Sequence, residues 1–75
     1  MGGKKSHIRN RIKRIRLART DLTQADLAKR VGATRQTIIA IEGERYSPSL
    51  ELAFRLSHVL GEPIEELFQF VPQWD

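Results

Sequence analysis

The chain has 75 residues, a formal net charge of +4 and no cysteine, so we expect one domain without disulfides or thiolate metal sites. No apolar run approaches the roughly 18–20 residues of a membrane span, and the charged N-terminus lacks a signal-peptide core, which predicts a cytoplasmic protein without a membrane partner. No nucleophile–base pair or glycine-rich phosphate loop occurs, and the two histidines lie far apart in sequence, so we expect neither catalysis nor a cofactor or metal.

Charge is divided unevenly along the chain. Residues 1–37 carry eleven basic and two acidic side chains, whereas residues 38–75 carry two basic and seven acidic side chains. A basic half of this kind indicates a face that binds a polyanion, and the acidic half indicates a separate end of the molecule. An ordinary solvated surface with a chance asymmetry is the alternative interpretation.

Every segment has a pattern typical of helix, and no alternating strand pattern of useful length occurs. Residues 1–7 are expected to form a flexible basic segment. The first helix is predicted to run from Ser6 or Ile8 to Arg19, because its isoleucines form one apolar stripe while arginines cover the rest. The residues of this stripe are Ile8, Ile12 and Ile15.

Capping signals define the next two helices. Thr23 is expected to cap the second helix, with Asp26 completing a capping box, and Gly32 is expected to end it in the left-handed conformation. The third helix is expected to begin after Thr34 and to end at residues 42–44. Its inward-facing residues are Ile38 and Ile41.

Two further helices follow. Ser47 or Ser49 is expected to cap a fourth helix that ends at Gly61, and Pro63 suits the start of a fifth. The side chains that we expect the fourth helix to bury are Leu50, Ala53, Phe54, Leu56 and Leu60. The apolar residues of the fifth helix are Ile64, Leu67 and Phe68.

The predicted fold is all-α. We expect a compact five-helix domain over residues 8–70. Because Pro72 ends regular structure, residues 71–75 are expected to form a C-terminal tail.

The segment from Gln24 to Ile41 meets the constraints of a helix-turn-helix. Two closely crossing helices need a small fifth residue, a turn-forming ninth residue and apolar residues at the fourth, eighth, fifteenth and eighteenth positions. Counted from Gln24, these six residues are Leu27, Ala28, Val31, Gly32, Ile38 and Ile41. Six constraints met together favour this motif strongly, and a purely structural helical hairpin is the alternative.

Three stretches carry a resemblance to a known family: TQADLAKRVGATRQTI, Ile41-Glu42, and YSPSLELAFRLSHVLG with IEELF. They resemble the phage-repressor type of helix-turn-helix regulator (Cro/C1, or xenobiotic-response-element), and its short single-domain members above all, over about residues 9–70. The resemblance implies a five-helix domain that binds double-stranded operator DNA as a homodimer. It also implies an internal ion pair between Arg16 and Glu42. The family usually has its glycine at the position of Glu44.

The third helix is expected to lie in the major groove with its N-terminal side chains against base edges. Arg35 and Gln36 point outward there, and arginine can bind the O6 and N7 of guanine while glutamine can bind adenine. Ile39 suits contact with a thymine methyl, or it is a partly buried neighbour of the first helix. The predicted base-reading residues are Arg35, Gln36, Thr37, Ile39 and Ala40.

Phosphate contacts are expected to hold this helix in register without reading sequence. Gln24 starts the second helix, where the family uses it to bind a phosphate and where backbone N–H groups favour an anion. A simple helix-forming role is the alternative for Gln24. The predicted phosphate-binding residues are Gln24, Thr34, Arg45, Tyr46 and Ser47. Side chains that either add to these contacts or form a solvated face are Arg11, Lys13 and Arg14.

The end of the chain is more apolar than a tail requires, and such groups are enriched in interface cores. We therefore expect a homodimer interface there, formed by Phe68, Phe70, Val71 and Trp74. The alternative is that Phe68 completes the core of the domain while Phe70 and Trp74 fold back on the surface.

The sequence thus predicts a sequence-specific DNA-binding transcriptional regulator, a repressor or autoregulator, that binds an inverted repeat as a homodimer through residues 35–42. The alternative function is an antitoxin-like module whose acidic, aromatic C-terminal end neutralises a protein partner, with or without DNA binding. A sequence-neutral architectural DNA binder is a third interpretation. The outward-facing polar residues 35–37 argue against it, because such a protein needs only charge.

Overall fold

The computed structural model describes residues 7–72, and this range confirms the predicted five-helix class while adding a small sheet. In chain order the elements are β1 (Ile8–Asn10), α1 (Ile12–Arg19), α2 (Gln24–Val31), α3 (Arg35–Glu42), α4 (Leu50–Leu60), α5 (Ile64–Leu67) and β2 (Phe68–Phe70). Residues 1–6 of the predicted flexible segment, and Trp74 of the predicted tail, lie outside the described residues. None of the described helices is long and apolar enough to cross a membrane.

A two-stranded antiparallel sheet joins the two ends of the described chain, and the sequence did not predict it. Ile8 lies opposite Phe70, and Asn10 lies opposite Phe68. Each strand has three residues, which is too short to show an alternating apolar pattern. The strands form because the fold brings two distant segments together, and no local signal records that pairing.

The start of α1 is set by Asn10. The Asn10 Oδ1 accepts a hydrogen bond from the Ile12 N–H at 3.0 Å and so satisfies one of the free donors at the helix N-terminus. The prediction that this helix begins at Ser6 or Ile8 is therefore wrong, since Ile8 lies in β1 and the helix begins at Ile12.

Local turn signals, by contrast, predicted α2 correctly. Thr23 Oγ1 accepts the Asp26 N–H, and Asp26 Oδ2 accepts the Thr23 N–H, both at 3.0 Å. At the other end Gly32 has φ +75°, and a Cβ there would lie 2.8 Å from Nη1 of Arg55. Glycine is thus favoured at this turn by the left-handed backbone conformation, whereas the flexible end of Arg55 could move away from a Cβ.

One apolar cluster joins all five helices. Each helix contributes a side chain with no exposed surface, and these are Ile12, Leu27, Ile38, Leu56 and Leu67. Burial of one such side chain contributes about 1.5–3 kcal/mol before the entropy of folding is counted. The predicted burial is also confirmed for Ala28, Val31, Ile41, Ala53 and Leu60.

Two residues of α4 that we expected in the core are exposed. Leu50 is 71% exposed and Phe54 is 58% exposed, so both predictions are wrong. The buried residues of this helix are Ala53, Leu56 and Leu60. At about 100° per residue, Leu50 and Phe54 lie about 90° and 130° from the centre of that buried stripe. Ser49, and not Ser47, caps the helix by accepting the Leu52 N–H at 3.1 Å.

The capping box of α2 makes stability depend on pH. The backbone hydrogen bond from Thr23, and then its side chain, lower the pKa of the Asp26 carboxyl from its ordinary value of 3.8. A carboxyl whose pKa is lower in the folded state stabilises the fold above its unfolded pKa and loses this contribution as pH falls through its folded pKa. We therefore expect Asp26→Asn to lower the urea midpoint at neutral pH, and the difference from the parent to shrink below about pH 4.

The control is Thr23→Ala, which removes the hydroxyl acceptor but keeps the carboxylate, so its deficit should change less with pH. Urea unfolding followed by circular dichroism between about pH 7 and pH 2 measures both variants. An Asp26→Asn deficit that stays constant over this range would contradict the assignment.

Candidate nucleic-acid interface

α2 and α3 pack as the predicted helix-turn-helix. All six constrained positions have the environment that the motif requires: the five apolar residues are at most 2% exposed, and Gly32 is left-handed. The turn is closed by the Ala33 N–H, which donates to the Ala28 carbonyl at 2.8 Å. Arg55 Nη1 donates to the Val31 carbonyl at 3.2 Å and satisfies a free acceptor at the end of α2. The turn therefore holds α3 in a fixed orientation on α2.

The outer face of α3 carries the predicted base-reading side chains. Ile38 and Ile41 have no exposed surface, so the core fixes which side of the helix faces solvent. Arg35 and Gln36, in the first turn, are exposed. The half-buried residues among those predicted to read bases are Thr37, Ile39 and Ala40.

Arg35 borders an open groove between the end of α1 and the start of α2. The groove has a volume of about 440 Å³, and Gln24 and Ala25 from the start of α2 line it. Leu17, which is 62% exposed, forms part of its wall on α1. Because a helix N-terminus carries partial positive charge, the groove combines Arg35 with a region that favours an anion, although the Asp21 carboxylate also lines it.

A buried ion pair connects α1 to the C-terminal end of α3, as the resemblance implied. Arg16 Nε donates to Glu42 Oε2 at 2.8 Å, and Arg16 Nη2 donates to Glu42 Oε1 at 3.3 Å. The two side chains are 7% and 3% exposed. Gln24 Nε2 donates to the same Oε1 at 2.9 Å. One carboxylate thus joins α1, α2 and α3 and fixes the Gln24 side chain at the edge of the groove.

The loop after α3 folds back on the helix and turns at Glu44. The Arg45 N–H donates to the Ala40 carbonyl, and the Gly43 N–H donates to the Ile39 carbonyl, both at 2.9 Å. Glu44 has φ +61°, in the left-handed region that is uncommon for residues with a side chain. Gly43 has φ −83°. The left-handed residue is therefore the one at which the resembling family usually has glycine.

Contacts with β1 hold Glu44 in this conformation. Glu44 Oε2 accepts the Asn10 N–H at 3.1 Å, and Glu44 Oε1 lies 3.7 Å from Nε of Arg9. Asn10 Nδ2 donates to the Ile41 carbonyl at 2.7 Å, which ties β1 to the end of α3. The sequence did not indicate that Asn10 contacts the end of α3, because the two partners in that contact are 31 and 34 residues away. The signal in the sequence was Glu44 itself, a non-glycine residue at a position where the family usually has glycine, since a left-handed residue with a side chain needs contacts that hold it.

Several basic side chains lie outside the described ion pairs, although Lys29 and Arg30 still act electrostatically on the Asp26 carboxylate. Arginines of β1, α1 and α4 pair with carboxylates. Within residues 7–72, the basic side chains outside any ion pair are Lys13, Arg14, Lys29, Arg30, Arg35 and Arg45. They lie on α1, α2, α3 and the loop after α3, and unpaired cations of this kind attract a polyanion.

The helix-turn-helix family pattern matches residues 12–67, from the first residue of α1 to the last residue of α5. The chain belongs to the helix-turn-helix family.

Individual helix-turn-helix proteins are similar over most of their length. An uncharacterized HTH-type transcriptional regulator from Methanocaldococcus jannaschii is 51% identical over 61 residues, which are 81% of this chain and 91% of the relative. Another from Methanothermobacter thermautotrophicus is 65% identical over 48 residues, 63% of this chain and 70% of the relative. The crystal structure of the restriction-modification controller protein C.AhdI from Aeromonas hydrophila matches with a TM-score of 0.68 and 27% identity, over 75% of this chain and 80% of that chain. The predicted Cro/C1-type family and fold are confirmed.

The phosphate-binding residues predicted for this helix-turn-helix lie in three places. Gln24 is half-buried at the start of α2, and Thr34 is exposed at the N-terminus of α3. The exposed residues in the loop after α3 are Arg45, Tyr46 and Ser47. Gln24 lies in the same groove as Arg35, whereas Tyr46 lies in another groove with Thr34 and Gln36.

The residues predicted to form a dimer interface differ in exposure. Phe68 is half-buried and packs against the core, as the alternative interpretation held, whereas Phe70 is 59% exposed. The other two are Val71, which is half-buried, and Trp74, which lies outside the described residues. Leu50, which we did not expect at a surface, lines an apolar groove of about 300 Å³ together with Phe68.

The Arg16–Glu42 pair gives a stability prediction. Arg16→Met leaves the Glu42 carboxylate buried without its cation, and breaking a buried pair from one side costs about 3–5 kcal/mol. We expect this variant to be largely unfolded at 25 °C, because a domain of this size has little stability to lose. Urea unfolding followed by circular dichroism measures the loss.

The matched control replaces both partners. Arg16→Met with Glu42→Leu removes both buried charges, so most of the lost stability should return. A double variant as unstable as Arg16→Met alone would show that shape, and not the uncompensated charge, sets the cost.

Proposed function

We propose that the protein binds operator DNA sequence-specifically and regulates transcription in the cytoplasm, as a repressor or autoregulator. The observation that carries this proposal is the pair of exposed side chains, Arg35 and Gln36, at the start of a helix whose other face is fixed in the core. A helix presented in this way can enter the major groove with its N-terminal residues against base edges. The relatives described as HTH-type transcriptional regulators support the same function.

In this proposal the base contacts are divided between polar and apolar side chains. Arg35 can donate two hydrogen bonds to the O6 and N7 of a guanine, and Gln36 can both donate to and accept from an adenine. Neither side chain forms a hydrogen bond or ion pair within residues 7–72, so binding DNA breaks no described contact of either. Thr37, Ile39 and Ala40 complete the proposed base-reading surface.

Phosphate contacts supply most of the affinity. Gln24 keeps one amide hydrogen beyond its bond to Glu42 and can donate it to a phosphate beside the N-terminus of α2. The further proposed phosphate-binding residues are Thr34, Arg45, Tyr46 and Ser47. Because protein cations that neutralise phosphates release the counterions condensed on DNA, binding is expected to weaken steeply with salt.

A homodimer would present two copies of α3 to an inverted repeat whose half-sites are about one helical turn apart. We propose that the dimer contact lies at the C-terminal end, at Phe68, Phe70, Val71 and Trp74. Exposed Leu50 extends this surface, because it shares an apolar groove with Phe68. Large exposed apolar side chains that lie together are typical of an interface.

Selection of bound sites from a randomised duplex library at near-physiological salt tests sequence-specific recognition. We expect an enriched inverted repeat. On that operator, Gln36→Ala and Arg35→Ala should each reduce discrimination at one base position per half-site by about 1–3 kcal/mol, because a bidentate contact is lost. Competition binding against operators with single base changes measures this loss.

The matched control is Arg14→Ala, which removes an unpaired cation on α1 far from the start of α3 in sequence. It should weaken binding to all sequences alike and reduce the slope of log affinity against log salt by about 1. Salt-sensitive binding with no enriched sequence would contradict the proposed function and leave a non-specific DNA binder.

Two neighbouring exposed residues of α4 test the dimer surface. We expect Leu50→Glu to weaken self-association by about tenfold or more, because it buries a charge in the proposed apolar contact. Phe54→Glu is the control, since Phe54 is 58% exposed on the same helix but lines a different groove, with His58. Sedimentation equilibrium measures self-association, and gel shifts compare the inverted repeat with a single half-site.

If the parent protein were monomeric at high micromolar concentration and bound single half-sites only, the homodimer proposal would be wrong. The exposed apolar residues at the C-terminal end would then favour the second candidate function, in which a protein partner covers Leu50 and Phe70. Co-purification of a partner with the parent but not with Leu50→Glu would support that candidate.

A further inference from the structure

A small groove lies on the outer face of α3, distinct from the groove that Arg35 borders. Its volume is about 240 Å³, and its lining residues are Thr34, Gln36, Thr37, Ala40 and Tyr46. No charged side chain lines it, although Arg35 and Arg45 precede two of its lining residues in sequence. The lining of this groove therefore offers a phosphate no ion pair of its own, although the start of α3 lies beside it.

The fold of the loop after α3 positions Tyr46 in this groove. The left-handed turn at Glu44 reverses the chain, and the Arg45 N–H then donates to the Ala40 carbonyl at 2.9 Å. The next residue, Tyr46, therefore lies beside the last turn of α3 and remains 49% exposed. Because the Glu44 carboxylate accepts the Asn10 N–H at 3.1 Å, the position of Tyr46 depends on β1.

The polar groups at the other end of the groove are engaged within the protein. Thr34 Oγ1 accepts the Thr37 N–H at 3.1 Å and lies 2.9 Å from Thr37 Oγ1. The methyl group of Ala40 and the ring of Tyr46 supply apolar surface. Gln36, which forms no hydrogen bond within residues 7–72, adds an amide at the rim. The groove thus combines an apolar wall with one free amide.

We infer that this groove binds the C5-methyl group of a thymine, with Ala40 and Tyr46 as its walls. The inference rests on the proposed function and adds one feature of the operator, a thymine in each half-site. The thymine methyl is the one methyl group that a standard base pair presents in the major groove, beside the hydrogen-bond donors and acceptors of the base edges. In this inference the ring of Tyr46 determines specificity, and this role replaces the phosphate contact proposed for Tyr46 above.

Replacement of thymine by deoxyuridine in the selected operator tests the inference, because it deletes one methyl group and preserves pairing with adenine. Each thymine is replaced in turn, symmetrically in both half-sites, and affinity is measured by fluorescence anisotropy. We expect one position at which the replacement weakens binding by about three- to tenfold per half-site, the range that burial of a single carbon supports. The other positions should change less than twofold.

Three variants connect that position to the groove. Tyr46→Ala removes one wall and Ala40→Val fills the space, so both should abolish the preference for thymine over deoxyuridine. Tyr46→Phe keeps the ring and should retain the preference. Thermal unfolding of the free variants checks that each is folded. Site selection with each variant checks the orientation of α3, because the selected bases at the other positions should be the same as for the parent.

Several results would overturn the inference. One is that the protein selects a specific operator, but no replacement of a thymine by deoxyuridine in that operator weakens binding. Another is a methyl preference that survives in Tyr46→Ala and Ala40→Val but is lost in Ile39→Ala, which would assign the methyl contact to Ile39. A loss of affinity in Tyr46→Phe that is equal for all sequences would assign Tyr46 to a phosphate. Failure to select any sequence would instead overturn the proposed function, and this inference with it.

Discussion

The arrangement of the whole recognition surface depends on one buried carboxylate, that of Glu42. It is 3% exposed and lies where α1, α2 and α3 meet, accepting hydrogen bonds from Arg16 and Gln24. Because a buried carboxylate is costly unless its hydrogen bonds are complete, the three helices can pack only in positions that satisfy it. The same network therefore sets where Gln24, a proposed phosphate ligand, lies relative to the proposed base-reading face of α3.

The sequence predicted those features whose causes lie within a few residues. The capping box at Thr23, the left-handed Gly32 and the inward positions of Ile38 and Ile41 all follow from helix periodicity and turn chemistry, and each is present. The two strands escaped prediction because they form only when distant segments meet. Asn10 escaped for the same reason, since it acts at the end of α3, 31 residues away along the chain.

Amphipathic periodicity also leaves an ambiguity that the structure resolves. In α4 an apolar face broad enough to include Leu50 and Phe54 is as compatible with the sequence as the narrower stripe through Ala53. α4 packs against α1, α2 and α5 through the narrow stripe, and Leu50 and Phe54 stay at the surface. Of these two residues, Leu50 shares a groove with Phe68 and belongs to the proposed dimer contact, whereas Phe54 lines a different groove.

The basic residues of the first half of the chain look alike in sequence but differ in whether the fold gives them an acidic partner. Arg16 forms a buried ion pair with Glu42 and is not available to a polyanion. Arg14, two residues earlier, has no acidic partner within residues 7–72. Arg11 lies between these cases, because its contact with Glu66 is 3.7 Å long and both side chains are about half exposed. An exposed pair of this kind contributes about 0–1 kcal/mol, so a phosphate can replace Glu66 at little cost. The basic half of the chain thus contains a fixed structural cation, free cations, and cations that a polyanion can recruit, and net charge alone cannot distinguish them.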